Sequence, residues 1–247
     1  MVRKSLILTF VFATCFVHSA RAGTIAFWSG NGTANDSTGA HDGTLVNGAG
    51  YAAGLNGRQA FQFNGVNQYM SAPASTDFAF GHSAFSISLY ANFSEVKTGP
   101  ITDIPNVFIG NDEGPGNVNK WIFFYDGSGH LAFHINSPGS GPIFLSSPTT
   151  FFPTVGAWND FAVTESGGKY TFYVNGNSLG SVTNGTNIPF ANGPLTIGQV
   201  EGAGYFHGLM QDVLISSTPE PSSVVLAGMG GLAILAYRCL RSRRATV

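Results

Sequence analysis

Tyr170-Thr171-Phe172-Tyr173-Val174-Asn175-Gly176 decides the fold class. Aromatic and β-branched residues follow one another with near two-residue spacing, so alternate side chains point to opposite faces of an extended chain. Asn175-Gly176 is the dipeptide best able to take positive φ at both central positions of a two-residue hairpin turn. The same pattern recurs in Gln59-Ala60-Phe61-Gln62-Phe63, Ala84-Phe85-Ser86-Ile87-Ser88-Leu89-Tyr90, Trp121-Ile122-Phe123-Phe124-Tyr125 and Leu131-Ala132-Phe133-His134-Ile135. Turn-forming stretches such as Asp126-Gly127-Ser128-Gly129 and Gly167-Gly168 separate these segments. No window of a dozen residues carries a helical stripe with a cap and a stop. The pattern predicts an all-β, antiparallel sandwich of roughly a dozen strands. The Pro- and Ser-rich stretch from Ser137 to Pro148 reads as a long loop, and Ser216 to Ser223 as a spacer.

The two ends of the chain are of a different kind. Arg3 and Lys4 precede an apolar stretch from Leu6 to Val17, and Ala20-Arg21-Ala22 places small residues where a signal peptidase reads them. Residues 1–22 therefore read as a signal peptide, with the mature chain starting at Gly23. At the other end, Thr218-Pro219-Glu220-Pro221 leads to an apolar run from Val224 to Tyr237 and then to Arg238, Arg241, Arg243 and Arg244. As a helix, residues 224–237 would rise about 21 Å against a hydrocarbon core of about 30 Å, which is short for a permanent span. The order Pro-Glu-Pro, short apolar helix and arginine cluster resembles the PEP-CTERM sorting signal. That resemblance implies recognition by an exosortase, a transient inner-membrane anchor, and delivery to the cell surface or the extracellular matrix. An ordinary single-span tail anchor is the alternative. The chain thus divides into 1–22, a domain at 23–217, and a sorting segment at 218–247.

Removing the ends changes the charge. Residues 23–217 keep four basic residues (Arg58, Lys97, Lys120 and Lys169) against twelve acidic ones, a net charge of −8. Phosphate binding needs clustered Lys and Arg, so a nucleic-acid partner is excluded. Both cysteines, Cys15 and Cys239, lie outside the central domain. The domain is exported without a disulfide framework and must be held by packing, or by packing and a metal.

The order of motifs narrows the sandwich further. Ile25-Ala26-Phe27-Trp28 leads to Asn35-Asp36-Ser37-Thr38-Gly39 and His41-Asp42-Gly43-Thr44-Leu45. Phe61 to Met70 and Phe85 to Tyr90 follow, then Trp158-Asn159-Asp160-Phe161-Ala162-Val163-Thr164, Leu195-Thr196-Ile197-Gly198 and Phe206-His207-Gly208-Leu209-Met210-Gln211-Asp212-Val213. This succession resembles the laminin G-like jelly rolls of the concanavalin A-like lectin and glucanase superfamily, and it spans nearly the whole domain. The resemblance implies a jelly-roll β-sandwich and raises the possibility of calcium. Here the family's Phe-Asp-Gly-x-Asp-Asp-Tyr is Phe63-Asn64-Gly65-Val66-Asn67-Gln68-Tyr69, with amides for carboxylates, and its Ile-Asp-Asp/Glu-Val is Met210-Gln211-Asp212-Val213. Calcium takes six to eight oxygens, carboxylates among them. Asp36, Asp42 and Asp212 are the remaining candidate ligands, with an Asx turn at Asp36 and a surface charge at Asp212 as the alternatives.

Glucanases on this fold carry Glu-x-Asp-x-x-Glu on one strand, which sets two carboxyls about 5 to 5.5 Å apart. No such strand exists here, and the densest acidic pair, Asp112-Glu113, sits among Gly110-Asn111 and Gly114-Pro115-Gly116 and reads as a solvated loop. His130 and His134 would share a sheet face about 13 Å apart, too far to share an ion. Trp28, Tyr51, Trp121, Tyr125, Tyr173 and Tyr205 are candidates to stack on sugar rings. Three function classes stand: a domain that binds exopolysaccharide, another glycan or matrix material; a carbohydrate-active hydrolase or lyase; and a passive matrix component. The absence of a paired-carboxylate strand favours binding.

Overall fold

The computed structural model describes residues 23–137 and 139–217. The residues read as a signal peptide, including Ala20 and Ala22, lie outside the described residues, as do Pro219, Glu220, Pro221, the 224–237 run and the four terminal arginines.

Fifteen strands make up the domain. They are β1 (Gly23–Trp28), β2 (Thr44–Val46), β3 (Gly50–Ala53), β4 (Gln59–Asn64), β5 (Tyr69–Ala72), β6 (Phe85–Phe93), β7 (Asn106–Asp112) and β8 (Lys120–Tyr125), followed by β9 (Leu131–Asn136), β10 (Ile143–Ser146), β11 (Trp158–Ser166), β12 (Lys169–Val174), β13 (Asn177–Thr183), β14 (Leu195–Ile197) and β15 (His207–Ser217). Helix among the described residues is confined to three single 3-10 turns, at Leu55–Gly57, Thr76–Phe78 and Ile101–Asp103. The first sheet runs β13-β12-β11-β6-β15-β4-β3 with β1 on β15, and the second runs β10-β9-β8-β7-β14-β5-β2. Every pairing within them is antiparallel. Two stacked antiparallel sheets with this crossed order form a jelly-roll sandwich.

Residue parity builds the first sheet. On β6, Phe85, Ile87, Leu89, Ala91 and Phe93 are buried, while Ser86, Ser88, Tyr90 and Asn92 turn outward. The β11 strand repeats the pattern, burying Phe161 and Val163 and presenting Trp158, Asp160, Ala162 and Thr164. Between the sheets Phe108 stacks on Phe161 with ring centroids 5.0 Å apart, and Phe93 meets Phe206 at 4.8 Å. Each such ring contributes about 1.5–3 kcal/mol through burial. Asn175 and Gly176 adopt φ of 51° and 74°, as the two-residue turn between β12 and β13 requires.

The second sheet departs from the expected alternation. Every residue of β7, β8 and β9 is buried. A second apolar cluster of Ile104, Val107, Ile122, Phe124, Ala132 and Val200 covers its outer face, so inward and outward residues are both removed from water. The stretch read as a loop from Ser137 to Pro148 contains β10, which pairs with β9 through Ile143↔Ile135 and Leu145↔Phe133. The first sheet is consequently the one with an open outer face.

Candidate functional site

The residues proposed for calcium do not fit it. Asp36 Oδ1 accepts the N–H groups of Phe27 at 2.7 Å and Thr38 at 3.2 Å, and Oδ2 accepts the Thr38 hydroxyl and the His41 N–H. Burial alone would raise this carboxyl, but the four donors outweigh it and hold the group below its ordinary value. With its lone pairs taken by the protein, Asp36 is a staple between β1 and the 33–43 loop. Asp42 Oδ1 accepts the Asp36 N–H at 2.9 Å. Asp212 is neutralised by Arg58 through two hydrogen bonds. Asn64, where the family has Asp, uses Oδ1 to accept the N–H groups of Val66, Asn67 and Gln68 and so closes its own turn. Among the described residues no three His, Cys, Asp or Glu side chains gather to hold a metal ion.

Asp112 is not in a solvated loop. It ends β7, is 8% exposed, and faces Lys120 on β8, its register partner. Lys120 is 1% exposed, and its Nζ donates to the Gly114 carbonyl at 2.8 Å and to Glu201, with Asp112 Oδ1 at 3.4 Å. Burial pushes the Asp112 carboxyl up, against the pull of the Gly114 N–H and Lys120. Glu113 instead points outward and accepts the N–H groups of Asn192 and Asn119. The cluster therefore pins the loops around Gly114 and Glu201 over the second sheet. Sequence reasoning missed it because Lys is ordinarily a surface residue and Glu201 is remote in the chain.

The two histidines serve the edge of the same sheet. His130 Nδ1 bonds the Ser147 carbonyl at 2.8 Å and His134 Nδ1 the Ile143 carbonyl at 2.9 Å. Burial lowers His134 to about 4, so the ring is neutral and Nδ1 carries the proton it donates.

Three of the six aromatics named for sugar stacking are structural. Trp28 and Trp121 are wholly buried and donate through Nε1 to the carbonyls of His41 and Phe78, and Tyr125 donates its hydroxyl to Phe151. Each spends its polar edge tying a loop to the core. Tyr51, Tyr173 and Tyr205 are half-buried.

Tyr173 belongs to a larger group on the open face of the first sheet. Asp160 on β11 lies directly opposite Tyr90 on β6, and Ala162 opposite Tyr173 on β12. Trp158 precedes Asp160 by two residues on the same face. Tyr90 is 38% exposed, and Trp158, Asp160 and Tyr173 are half-buried. Three adjacent strands span about 10 Å, and diagonal neighbours lie about 7–8 Å apart, so the three rings surround one carboxylate in a patch the size of a sugar unit or two. The Asp160 carboxylate has no partner among the described residues, and burial alone raises it. The Asn175 side chain sets the strand beneath it, accepting the Asp160 N–H and donating to Asn159 Oδ1, both at 2.9 Å. Sequence reasoning placed Tyr90 and Trp158 on strands but named neither for sugar stacking. Parity was the available signal: Tyr90 shares its face with Ser86 and Ser88, and Trp158 shares its face with Asp160 and Thr164.

Residues 63–220 match the model of the concanavalin A-like lectin/glucanases superfamily, and residues 217–244 match the PEP-CTERM protein-sorting motif. No curated protein matches the chain. The structure is similar to domain 4 of a GH43 extracellular arabinanase from Geobacillus stearothermophilus, solved in complex with arabinotriose. Identity is 21% and the TM-score 0.62 over 79% of this chain and 93% of that one. It is also similar to the binding domain of Paraclostridial Mosquitocidal Protein 1, at 16% identity and TM-score 0.59, covering 81% of this chain and 50% of that one. A mutant Trypanosoma rangeli sialidase displaying trans-sialidase activity matches at 18% identity and TM-score 0.53, over 81% of this chain and 32% of that one. At these identities the likeness is one of fold.

Proposed function

Because the chain belongs to the concanavalin A-like lectin/glucanases superfamily, we propose that it is an exported glycan-binding protein whose jelly roll holds carbohydrate without cleaving it. The observation that carries this is the open face bearing Tyr90, Trp158 and Tyr173 around Asp160. Half-exposed aromatic rings on rigid strands offer large apolar contact at little cost in conformational freedom, and the carboxylate between them accepts sugar hydroxyls. The arabinanase domain solved with arabinotriose supports the assignment as a fold neighbour that takes a sugar oligomer. Binding without turnover is favoured because Asp112 and Glu201, the carboxylates that converge in the second sheet, are tied to a buried lysine. The PEP-CTERM motif supports processing by an exosortase through a membrane-anchored intermediate, with the cell surface or the extracellular matrix as the destination.

A glycan array probed with the protein and with a Tyr90→Ala, Trp158→Ala, Tyr173→Ala variant tests the assignment. Binding that the triple variant loses supports it. An array without any bound glycan, or binding untouched by the three substitutions, removes this face as the site.

A further inference from the structure

We propose that the ligand of this face is an amine-bearing sugar, with Asp160 as its counter-ion and the rings of Tyr90, Trp158 and Tyr173 as the walls of its seat. The proposal rests on the glycan-binding assignment and goes beyond it to the charge of the ligand.

Its ground is a half-buried carboxylate that the described residues leave without a counter-charge. Three of the four basic side chains of the described domain are committed elsewhere. Arg58 pairs with Asp212, Lys120 lies between Asp112 and Glu201, and Lys97 donates to the carbonyls of Gly65 and Tyr205. Lys169 opens β12 four residues before Tyr173, about 13 Å away along the strand. The Asp160 carboxylate thus receives no cation and no hydrogen bond among the described residues, although it is partly removed from water. That dehydration is registered in its raised carboxyl, for which burial is the sole cause.

An aromatic ring presents a negative face and so attracts a cation placed over it, while a partly desolvated carboxylate attracts the same cation directly. A neutral sugar seated here would give Asp160 a hydroxyl but leave its charge uncompensated under a low-dielectric cover, which is costly. An acidic sugar would meet like charge from Asp160 and from a domain with net charge −8. An ammonium on a sugar ring satisfies both the rings and the carboxylate. The free hydroxyls of Ser88 and Thr164, on the same outward face, continue the seat for the neighbouring sugar unit.

Calorimetric titration of the full-length protein in mild detergent, with chitosan oligosaccharide and with its N-acetylated counterpart, separates the possibilities, because the two share ring and linkage and differ in charge. The amine form is expected to bind about tenfold tighter. Asp160→Asn should abolish that preference, bringing the two forms to equal affinity, and Trp158→Ala should weaken both, with unaltered circular dichroism in each variant. Equal binding of the two oligosaccharides, or a preference that survives Asp160→Asn, overturns the amine inference and leaves glycan binding standing. Lysine oligomers bound more tightly than chitosan overturn it in favour of a basic polypeptide. Binding of neither oligosaccharide overturns it too, and only a blank glycan array would carry the failure through to glycan binding itself.

Discussion

Arg58 and Asp212, 154 residues apart in the chain, meet in a two-pronged ion pair: Nη1 donates to Oδ2 at 2.9 Å and Nη2 to Oδ1 at 2.6 Å. The pair closes the turn before β4 onto the bulge of β15, where Asp212 takes φ of 53°. A planar guanidinium matches a carboxylate fork and fixes its direction as well as its charge. The cation at this carboxylate is thus supplied by the chain itself.

Asp212→Asn keeps a residue tolerant of positive φ and removes only the charge. With side chains 36% and 20% exposed, the pair is worth about 1 kcal/mol, so the variant should melt about 2–4 °C lower. Adding a chelator should leave the melting temperature of the parent protein within about 1 °C of its value without chelator. A drop of several degrees on chelation, absent in Asp212→Asn, would place a metal ion where the guanidinium is described.

Asp36 makes a second, pH-dependent contribution. Its folded carboxyl lies below the ordinary 3.8 because four donors outweigh the burial that would raise it. Its stabilisation is therefore complete above the unfolded value and is lost as pH falls through the lower folded one. Asp36→Asn turns an amide N–H₂ toward groups that themselves donate and should cost about 2–3 kcal/mol near neutrality. Urea unfolding of parent and variant should converge as pH falls through the lowered folded value. A gap that stays constant down to that pH would show the carboxylate's charge to be irrelevant.

His134 acts in a different window. Burial, reinforced by Lys120 and opposed by the bond to Ile143, lowers it from 6.5 to about 4. The unfolded chain takes up a proton that the folded chain refuses, so stability should fall as pH drops from 6.5 toward 4, by about 3 kcal/mol in all. His134→Gln retains a donor for the Ile143 carbonyl without titrating. The difference between parent and variant should therefore change across this range, and a flat difference would mean that the imidazole is solvated in the folded protein.

How much of this was legible in the sequence depends on which faces are wet. On β6, β11 and β12 one face meets water, so Phe85-Ser86-Ile87-Ser88-Leu89-Tyr90 reveals both strand and orientation. On β7, β8 and β9 both faces are covered, and the run from Lys120 to Tyr125 gives no parity to read. β10 hid among prolines and glycines because an edge strand of four residues carries too little pattern. The aromatics named for binding were those with polar edges, but Trp28, Trp121 and Tyr125 use those edges on loop carbonyls, a demand set by tertiary structure alone. Asp160 became notable only through the absence of a partner, and a sequence does not display absences.

The tail is where sequence carries the whole argument. Arginines at 238, 241, 243 and 244 favour a cytoplasmic C-terminus, and the sequence then predicts that the short apolar run at 224–237 brings Pro219-Glu220-Pro221 to the outer membrane face. Two prolines remove backbone donors and bias the sequence toward an extended conformation, as a protease cleft requires. The folded domain keeps β15 paired with β1 as far as Ser217↔Gly23. Cleavage at Pro219-Glu220-Pro221 leaves every described strand intact. Intact-mass measurement of the exported protein should find a species lacking Val224 to Val247. Changing Pro219, Glu220 and Pro221 to alanine should leave a longer, membrane-bound form. A mature species that still carries Arg238 to Val247 would make the segment a permanent anchor, and the glycan-binding face would then work tethered to the membrane instead of released from it.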